Sequence, residues 1–342
     1  MEKHFGKLSR GCELCFEGKK SVLFITGICP RRCSYCPLSE EKKNSDLIHI
    51  NELKTKSLKE IINEIKFSDS EGVGITGGDP LAVIDRTSKF IRAMKKQFGK
   101  KFHVHLYTSL NLLNGSTISK LQKAGLDELR VHPDIFDKKL WNKIELAKGK
   151  FKEYGIEIPV FPKEEKKILE LVEFSENFVD FFNLNELEYA TLYEDYYKKK
   201  KWKVNEDYSV QDSRKTAMRI LNKLKNKKIR VHYCSSKFKD SIQFTNRIKV
   251  RSKKLAEKFD KITDDGLLLR AEIISEKNQS LNKLKKELEN NFKSKFKIDK
   301  SKNRIIFNSD LAKKVSKKFK NVAVLEEYPT IDRMEAEKEW LS

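Results

Sequence analysis

Three cysteines lie within eight residues of one another early in the chain, at Cys29, Cys33 and Cys36. They follow the apolar run 22–25, which predicts a strand that delivers all three thiols into one loop. Three thiolates on one metal centre leave a coordination position open for chemistry, whereas four thiolates close it. The spacing therefore favours a metal centre with an open position, against the alternatives of unrelated buried thiols or a zinc knuckle.

The surrounding residues resemble the radical S-adenosylmethionine (SAM) superfamily. They are the C-x3-C-x2-C spacing, Tyr35 directly before the last cysteine, and the run 77–80, Gly-Gly-Asp-Pro, after the next apolar stretch. The resemblance implies that Cys29, Cys33 and Cys36 hold a [4Fe-4S] cluster whose fourth iron is chelated by SAM. Cleavage of SAM by an electron from the cluster would then give a 5′-deoxyadenosyl radical that removes hydrogen from a substrate. Within the superfamily, the sequence is similar to an archaeal branch related to pyruvate formate-lyase activating enzymes.

The resemblance also implies which residues contact SAM. The Gly-Gly turn with Asp79 would meet the methionyl ammonium, although members more often have Glu, one methylene longer, at that position. A strand ending in Tyr107, Thr108 and Ser109 would meet the ribose or carboxylate of SAM. A plain tight turn and a capping hydroxyl are the structural alternatives. We expect the following residues to bind the cofactor: Tyr35, Gly77, Gly78, Asp79, Thr108 and Ser109.

The elements that must position these residues alternate between short apolar runs and longer helical stretches. Six βα units in a row predict a parallel sheet with its site at the carboxyl ends of the strands. The alternation alone also permits a doubly wound open sheet, and the resemblance implies a partial (βα)6 barrel. The predicted strands are 22–28, 72–76, 102–108, 128–132, 156–160 and 178–184, and the predicted helices are 57–67, 85–98, 116–124, 137–154, 164–176 and 212–226.

Polar residues recur with period two on the predicted strands. His103, His105 and Tyr107 share one face of the third strand, and Arg130 and His132 share one face of the fourth. Since strands buried on both faces are apolar throughout, this pattern predicts a polar lumen, although any single histidine could be a satisfied core residue. Similar polar positions are Thr26, Thr76 and Glu157, and the sixth strand ends in a polar stretch, 183–188. We expect these residues to be catalytic: His105, His132, Asn183 and Glu186.

A second metal site is predicted from the remaining cysteines. Cys12 and Cys15 have the C-x2-C spacing that forms half a metal site, and Cys234 follows His232 by two residues. These four residues could bind zinc or an auxiliary iron–sulfur cluster, which spacing does not distinguish. The alternative is that Cys234 is a small buried hydrophobe and the N-terminal pair is idle.

The order of the predicted helices and strands changes past residue 240, which predicts a second domain. Its elements follow the order βαββαβ, typical of a small α+β ferredoxin-like sandwich. They are strand 267–274, helix 280–292, strands 295–299 and 303–307, helix 309–320, and strand 322–327, followed by a docking tail at 328–342. The predicted division is an N-terminal cysteine-containing segment at 1–21, the radical SAM core at 22–238 and the C-terminal domain with its tail at 239–342.

Composition limits the partners of the protein. The net charge of +22 predicts an anionic partner such as RNA, although a solvated charged surface would give the same excess. No apolar run approaches membrane-spanning length and no signal-peptide core begins the chain, so we expect a cytoplasmic protein without membrane contact. In that reducing compartment the six cysteines would be available as ligands.

Three functions are compatible with these observations. The first is a radical SAM enzyme that modifies an unidentified substrate, with RNA preferred on charge. The second is an activase that creates a glycyl radical in a protein or modifies a peptide. Both need a low-potential electron donor. The third, from a different class, is a zinc-stabilised nucleic-acid-binding protein without catalysis.

Overall fold

The computed structural model describes residues 3–276 and 279–342, with the side chains of all of these except residues 240 and 241. Residues 1 and 2 of the predicted N-terminal segment, and residues 277 and 278 of the predicted C-terminal domain, lie outside the described residues. The chain forms two compact units, Met1–Lys66 with Ser70–Phe244 and Phe67–Asp69 with Thr245–Ser342. The sequence prediction put the domain boundary between 238 and 239, six residues before the division at 244 and 245.

The first unit is built on one ten-stranded sheet with the order β1-β10-β9-β8-β7-β6-β5-β2-β3-β4. Its centre, from β2 through β5 to β10, is parallel throughout, and the short strands at both edges are antiparallel. This confirms the predicted α/β architecture with a parallel core. The strands are β1 (Lys3–Phe5), β2 (Lys20–Phe24), β3 (His49–Ile50), β4 (Leu53–Lys54), β5 (Gly72–Thr76), β6 (His103–Ser109), β7 (Glu128–His132), β8 (Glu153–Val160), β9 (Phe181–Glu186) and β10 (Arg230–Cys234).

Helices and 3-10 turns connect the parallel strands, and further helices precede the first of these strands and follow the last. They are α1 (Arg10–Phe16), α2 (Leu58–Phe67), α3 (Ile84–Phe98), α4 (Gly115–Ala124), α5 (Glu165–Ser175), α6 (Glu194–Lys199), α7 (Ser213–Leu224) and α8 (Ser236–Phe238), with 3-10 turns at Pro80–Val83, Lys138–Ala147 and Thr191–Tyr193 and a π-helical turn at Lys239–Phe244. The predicted helix 137–154 was wrong in type and length, because its last residues pair with β7 as the start of β8. The first helix, α1, was not predicted; the Ser9 side chain caps it by accepting from the amide of Cys12.

Alternation along the strands separates the hydrophobic core from the lumen. On β6, Val104 and Leu106 are fully buried in the apolar core. His105 and Tyr107, which alternate with them along the strand, point to the opposite face, where they line an interior cavity. One face of the sheet thus holds the core, and the other face is available for a site.

The second unit has one antiparallel sheet with the order β13-β14-β12-β15-β16, and β11 pairs with β12. Without its last strand this is the order of a ferredoxin-like sandwich. The predicted docking tail instead contains β16, which pairs with β15 through backbone groups at the sheet edge. The elements are α9 (Thr245–Leu255), β11 (Lys261–Ile262), β12 (Leu268–Ile274), α10 (Leu281–Asn291), β13 (Lys297–Asp299), β14 (Arg304–Phe307), α11 (Ala312–Val315), β15 (Val322–Glu327) and β16 (Glu335–Trp340), with 3-10 turns at Lys300–Lys302 and Ser309–Leu311.

Candidate active site

The cysteine motif lies in the loop that follows β2. Cys29, Cys33 and Cys36 are partly exposed free thiols that line one cavity of about 190 Å³. They stand at the carboxyl end of a parallel strand, where an α/β sheet binds its ligands. Three soft ligands around one cavity match the donor set of an iron–sulfur cluster with an open iron.

The Gly-Gly turn after β5 holds the cysteine loop in place. The amide of Gly78 donates to the Thr26 carbonyl at 2.7 Å, and the amide of Asp79 donates to the Ile28 carbonyl at 2.8 Å. A Cβ atom at Gly78 would stand 2.4 Å from the Ile28 carbonyl oxygen, and one at Gly77 would stand 2.3 Å from the Thr26 carbonyl oxygen. Glycine is therefore required for the two backbones to approach this closely. Both glycines also line the cavity that contains Cys29, Cys33 and Cys36.

Asp79 does not line that cavity, in contrast to the expectation that its carboxylate meets SAM. It is fully buried, and its carboxylate accepts from the Thr108 hydroxyl at 2.7 Å and from the Ser109 hydroxyl at 2.6 Å. The amides of Ser109 and Leu81 also donate to it, at 3.1 and 3.0 Å. Asp79 therefore positions Thr108 and Ser109, which do line the cavity.

Tyr35 and His132 form the wall between the thiols and the sheet interior. The Arg31 guanidinium donates to the Tyr35 hydroxyl oxygen at 3.0 Å, so the Tyr35 proton is directed to Nε2 of His132, also at 3.0 Å. Burial and the charge of Arg31 lower the pKa of His132 to about 3. His132 is therefore a neutral hydrogen-bond acceptor at physiological pH.

A larger cavity of about 420 Å³, the lumen, extends along the polar face of the sheet. The lumen adjoins the cavity lined by Cys29, Cys33 and Cys36. The two spaces share the lining residues Tyr35, Pro37, Thr76, Tyr107 and His132. The other polar residues that line the lumen are Lys20, His105, Glu157, Asn185, Glu186, Glu188, Lys239 and Gln243. A group bound at the thiols would therefore face a space in which a polar substrate can be held.

Ion pairs fix the charges around the lumen. Glu157 accepts from Arg130 at 2.7 Å and from the amides of Asn183 and Asn185, each at 2.9 Å. Burial alone would raise the pKa of Glu157, but the Arg130 charge and the amide donors lower it overall. Lys239 pairs with Glu188 at 2.7 Å. Two of the cations beside the lumen are thus neutralised by carboxylates.

The residues predicted to be catalytic have different surroundings. His105 is fully buried, with Nε2 3.2 Å from the Tyr107 hydroxyl, and burial together with Lys20 lowers its pKa well below the usual range. Glu186 lines the lumen while accepting from the Ser236 amide at 3.0 Å. Asn183 lies outside the lumen lining and contacts Glu157. Their catalytic roles stay predictions.

The cysteines of the predicted second site also meet in space. Cys12, Cys15, His232 and Cys234 line one cavity of about 130 Å³, here called the thiol cavity. Cys12 is buried, and its sulfur accepts from Arg130 at 3.4 Å and from Asn183 at 3.3 Å. Helix α1 contributes two thiols and β10 the third, so the long sequence separation between them is closed by folding.

Several residues at the site were missed by sequence reasoning. Lys43 and Tyr193 line the cavity of the three cysteines and hydrogen-bond to each other, and Arg31 orients Tyr35. Arg31 lies between Cys29 and Cys33, so its place beside the predicted cluster ligands could have been read from the sequence. Lys43 and Tyr193 lie 150 residues apart in the sequence, and neither local sequence distinguishes them from surface positions.

Comparison with known proteins agrees with this geometry. The sequence profile of the Radical SAM superfamily matches residues 23–173. A protein of Methanocaldococcus jannaschii, provisionally named a glycyl-radical enzyme activating enzyme, is 39% identical over 359 aligned positions, which cover 99% of this chain and 94% of the relative.

Solved structures give more distant matches. Streptococcus suis SuiB bound to S-adenosylmethionine is 17% identical with a TM-score of 0.46, and the match covers 64% of this chain and half (50%) of SuiB. Escherichia coli coproporphyrinogen III oxidase, described as a radical SAM enzyme, is 12% identical with a TM-score of 0.38, over 65% of this chain and 57% of that chain.

Among the described residues, no helix is long and apolar enough to cross a membrane.

Proposed function

Because this chain belongs to the radical SAM superfamily, we propose that it is an activating enzyme that removes a hydrogen atom from a glycine-containing protein segment entering the lumen. Its membership makes it a radical SAM enzyme whose cofactors are a [4Fe-4S] cluster and SAM. When bound, these cofactors supply the 5′-deoxyadenosyl radical that abstracts hydrogen. A low-potential electron donor is part of the proposal.

The chain offers suitable residues for both cofactors. Cys29, Cys33 and Cys36 would hold the cluster, and the open iron would face the cavity that the three thiols line. SAM would lie against the Gly-Gly turn and the hydroxyl-bearing end of β6. The residues proposed to line the bound SAM are Tyr35, Gly77, Gly78, Thr108 and Ser109.

The observation that carries the proposal is that the cavity lined by Cys29, Cys33 and Cys36 adjoins the lumen. Tyr107 and His132 line both spaces, so substrate in the lumen would stand next to the reacting end of SAM. A volume of about 420 Å³ is in the range of ligand pockets, which accommodates a short extended peptide but not a folded element. The relative with a glycyl-radical activase name aligns over almost the whole chain, which supports a protein as the substrate.

The charges at the lumen favour a peptide over RNA. Glu157, Glu186 and Glu188 line it together with two cations, Lys20 and Lys239, so the lining has no excess of positive charge that would attract phosphates. A peptide backbone is neutral and can bond to amides and carboxylates alike. The RNA prediction, which rested on net charge, has no supporting observation at the site.

The test uses anaerobically reconstituted enzyme, dithionite and SAM, with a cell extract of the source organism grown on glycine deuterated at Cα. We expect 5′-deoxyadenosine carrying one deuterium, formed in the RNase-treated extract and lost after protease treatment. Cys33→Ala is the control and should give no 5′-deoxyadenosine. Unlabelled 5′-deoxyadenosine whose formation depends on RNA would overturn the protein-substrate proposal, and near-wild-type cleavage by the Cys33→Ala enzyme would overturn the radical SAM site itself.

A further inference from the structure

We propose that the thiol cavity binds a second iron–sulfur cluster, ligated by Cys12, Cys15 and Cys234, with His232 as the fourth ligand. The radical chemistry of the first cluster does not require these residues. All four belong to the first unit and line one cavity of about 130 Å³. The donor set, three thiols and an imidazole, is one that binds zinc or iron–sulfur clusters.

The thiol cavity has room for a polyatomic group. One water molecule needs roughly 10–15 Å³ of such space, which is about a tenth of the volume of this cavity. Among the described residues, the group whose ligand atoms all stand within 4.8 Å of one another is His103, His105 and Glu128. The four thiol-cavity residues do not meet this limit, and a cluster needs wider ligand spacing than a mononuclear zinc ion.

The buried group of His103, His105 and Glu128 is better explained by ion pairing than by a metal. Glu128 pairs with Arg130 and stands 3.3 Å from Nε2 of His103. A divalent cation at this carboxylate would stand beside a guanidinium that is almost fully buried, where repulsion between like charges is strong. The compact group is thus a structural network at the base of the sheet.

The surroundings of the thiol cavity supply cations and hydrogen-bond donors for ligating thiolates. Lys20, Arg130 and Lys239 line it, and carboxylates pair with two of them, Glu157 with Arg130 and Glu188 with Lys239. Arg130 and Asn183 donate hydrogen bonds to the Cys12 sulfur at 3.4 and 3.3 Å. Hydrogen bonds to ligating sulfurs are among the features that tune cluster potentials.

The thiol cavity adjoins the lumen. It shares Lys20, Glu157 and Asn185 with the lumen, and Tyr107 lines both of these spaces and the cavity of the first three cysteines. A substrate in the lumen would therefore lie near both metal centres. The second cluster would also tie α1 to β10 and so close the amino-terminal end of the unit.

Two triple variants, reconstituted with ferrous iron and sulfide, test the proposal. Variant A carries Cys29→Ala, Cys33→Ala and Cys36→Ala, and variant B carries Cys12→Ala, Cys15→Ala and Cys234→Ala. Each should retain about half of the wild-type iron and acid-labile sulfide. The electron paramagnetic resonance spectrum of the reduced cluster should respond to SAM in variant B and not in variant A.

Other results would overturn the proposed second cluster. Zinc without sulfide in variant A would overturn the cluster in favour of a mononuclear site, and absence of metal with wild-type circular dichroism would remove the second site altogether. If variant A fails to fold, variant B decides the matter, because wild-type iron and sulfide content in variant B would refute the proposal. If the thiol cavity binds no cluster, the electron paramagnetic resonance spectrum of variant B still responds to SAM. This outcome is therefore distinguishable from failure of the proposed activity.

Discussion

Replacement of Asp79 by alanine tests whether this carboxylate positions the SAM cavity or touches SAM. In the structure it is fully buried and accepts four hydrogen bonds, two from hydroxyls and two from the amides of Leu81 and Ser109. The hydroxyls can rotate toward other acceptors, and the Thr108 hydroxyl already reaches the Ser109 carbonyl at 3.1 Å. The two amides cannot rotate, so Asp79→Ala leaves both without their acceptor.

Each buried donor left without a partner costs about 1–3 kcal/mol, so Asp79→Ala should lower the free energy of unfolding by about 2–6 kcal/mol. This is a large part of the roughly 5–15 kcal/mol that stabilises a typical domain. SAM affinity should fall as well, because Thr108 and Ser109 lose the group that orients them. Anaerobic urea titration followed by circular dichroism measures the first effect, and calorimetric titration of the reconstituted protein with SAM measures the second.

Two matched variants separate the contributions. Asp79→Asn keeps the volume and one acceptor oxygen, so its loss of stability should be about half that of Asp79→Ala. Thr108→Val removes one hydroxyl and leaves both amides paired, so it should cost no more than about 1.5 kcal/mol. If Asp79→Ala unfolds at the wild-type urea concentration and yet loses SAM binding, the carboxylate contacts SAM directly and the positioning role is refuted.

Three further predictions follow from single contacts. Gly78→Ala should reduce bound iron severalfold, because its Cβ would stand 2.4 Å from the Ile28 carbonyl oxygen, whereas Gly115→Ala, where nothing lies within 4 Å, should bind iron like the wild type. The pKa of His132 is lowered from 6.5 to about 3, so the neutral side chain contributes its full stability above about pH 6.5. The free energy of unfolding then falls by about 1.4 kcal/mol per pH unit as the pH falls toward 3. Urea titrations between pH 7 and 4 should show a shallower fall in the free energy of unfolding for His132→Gln than for the wild type. Arg304→Met should destabilise the second unit by about 1.5–3 kcal/mol, because Arg304 is 1% exposed and donates to the buried carboxylates Glu272, Asp299 and Glu327. The loss stays in this range because each carboxylate keeps another cationic partner. An unchanged thermal midpoint for that unit would contradict this.

Local sequence was sufficient where the chemistry depends on neighbouring residues. The motif at Cys29, Cys33 and Cys36 needs only one loop, and the alternation of apolar runs and helical stretches predicted the parallel core. The period of two on β6 also indicated the lumen, because alternate side chains of a strand must point to opposite faces. His105 and Tyr107 do line that space.

Prediction failed where long-range pairing outweighs local preference. Residues 153 and 154 follow a helical pattern, yet they join β8 because their backbone groups pair with β7. The tail after residue 328 has no strongly apolar run, and β16 forms there because the edge of β15 offers unpaired backbone groups. These outcomes depend on a partner strand that local sequence does not reveal.

The sequence by itself determined the superfamily, the cysteine loop and the order of elements, because each depends on residue types at short and fixed spacing. Only the tertiary structure decided the direction of Asp79 and the meeting of Cys12, Cys15 and Cys234 in one cavity. A side chain's direction is set by the donors that folding brings to it. Asp79 meets hydroxyls 29 and 30 residues away, and Cys12 meets an amide 171 residues away. Contacts at such separations arise from the winding of the whole sheet, which no local pattern encodes.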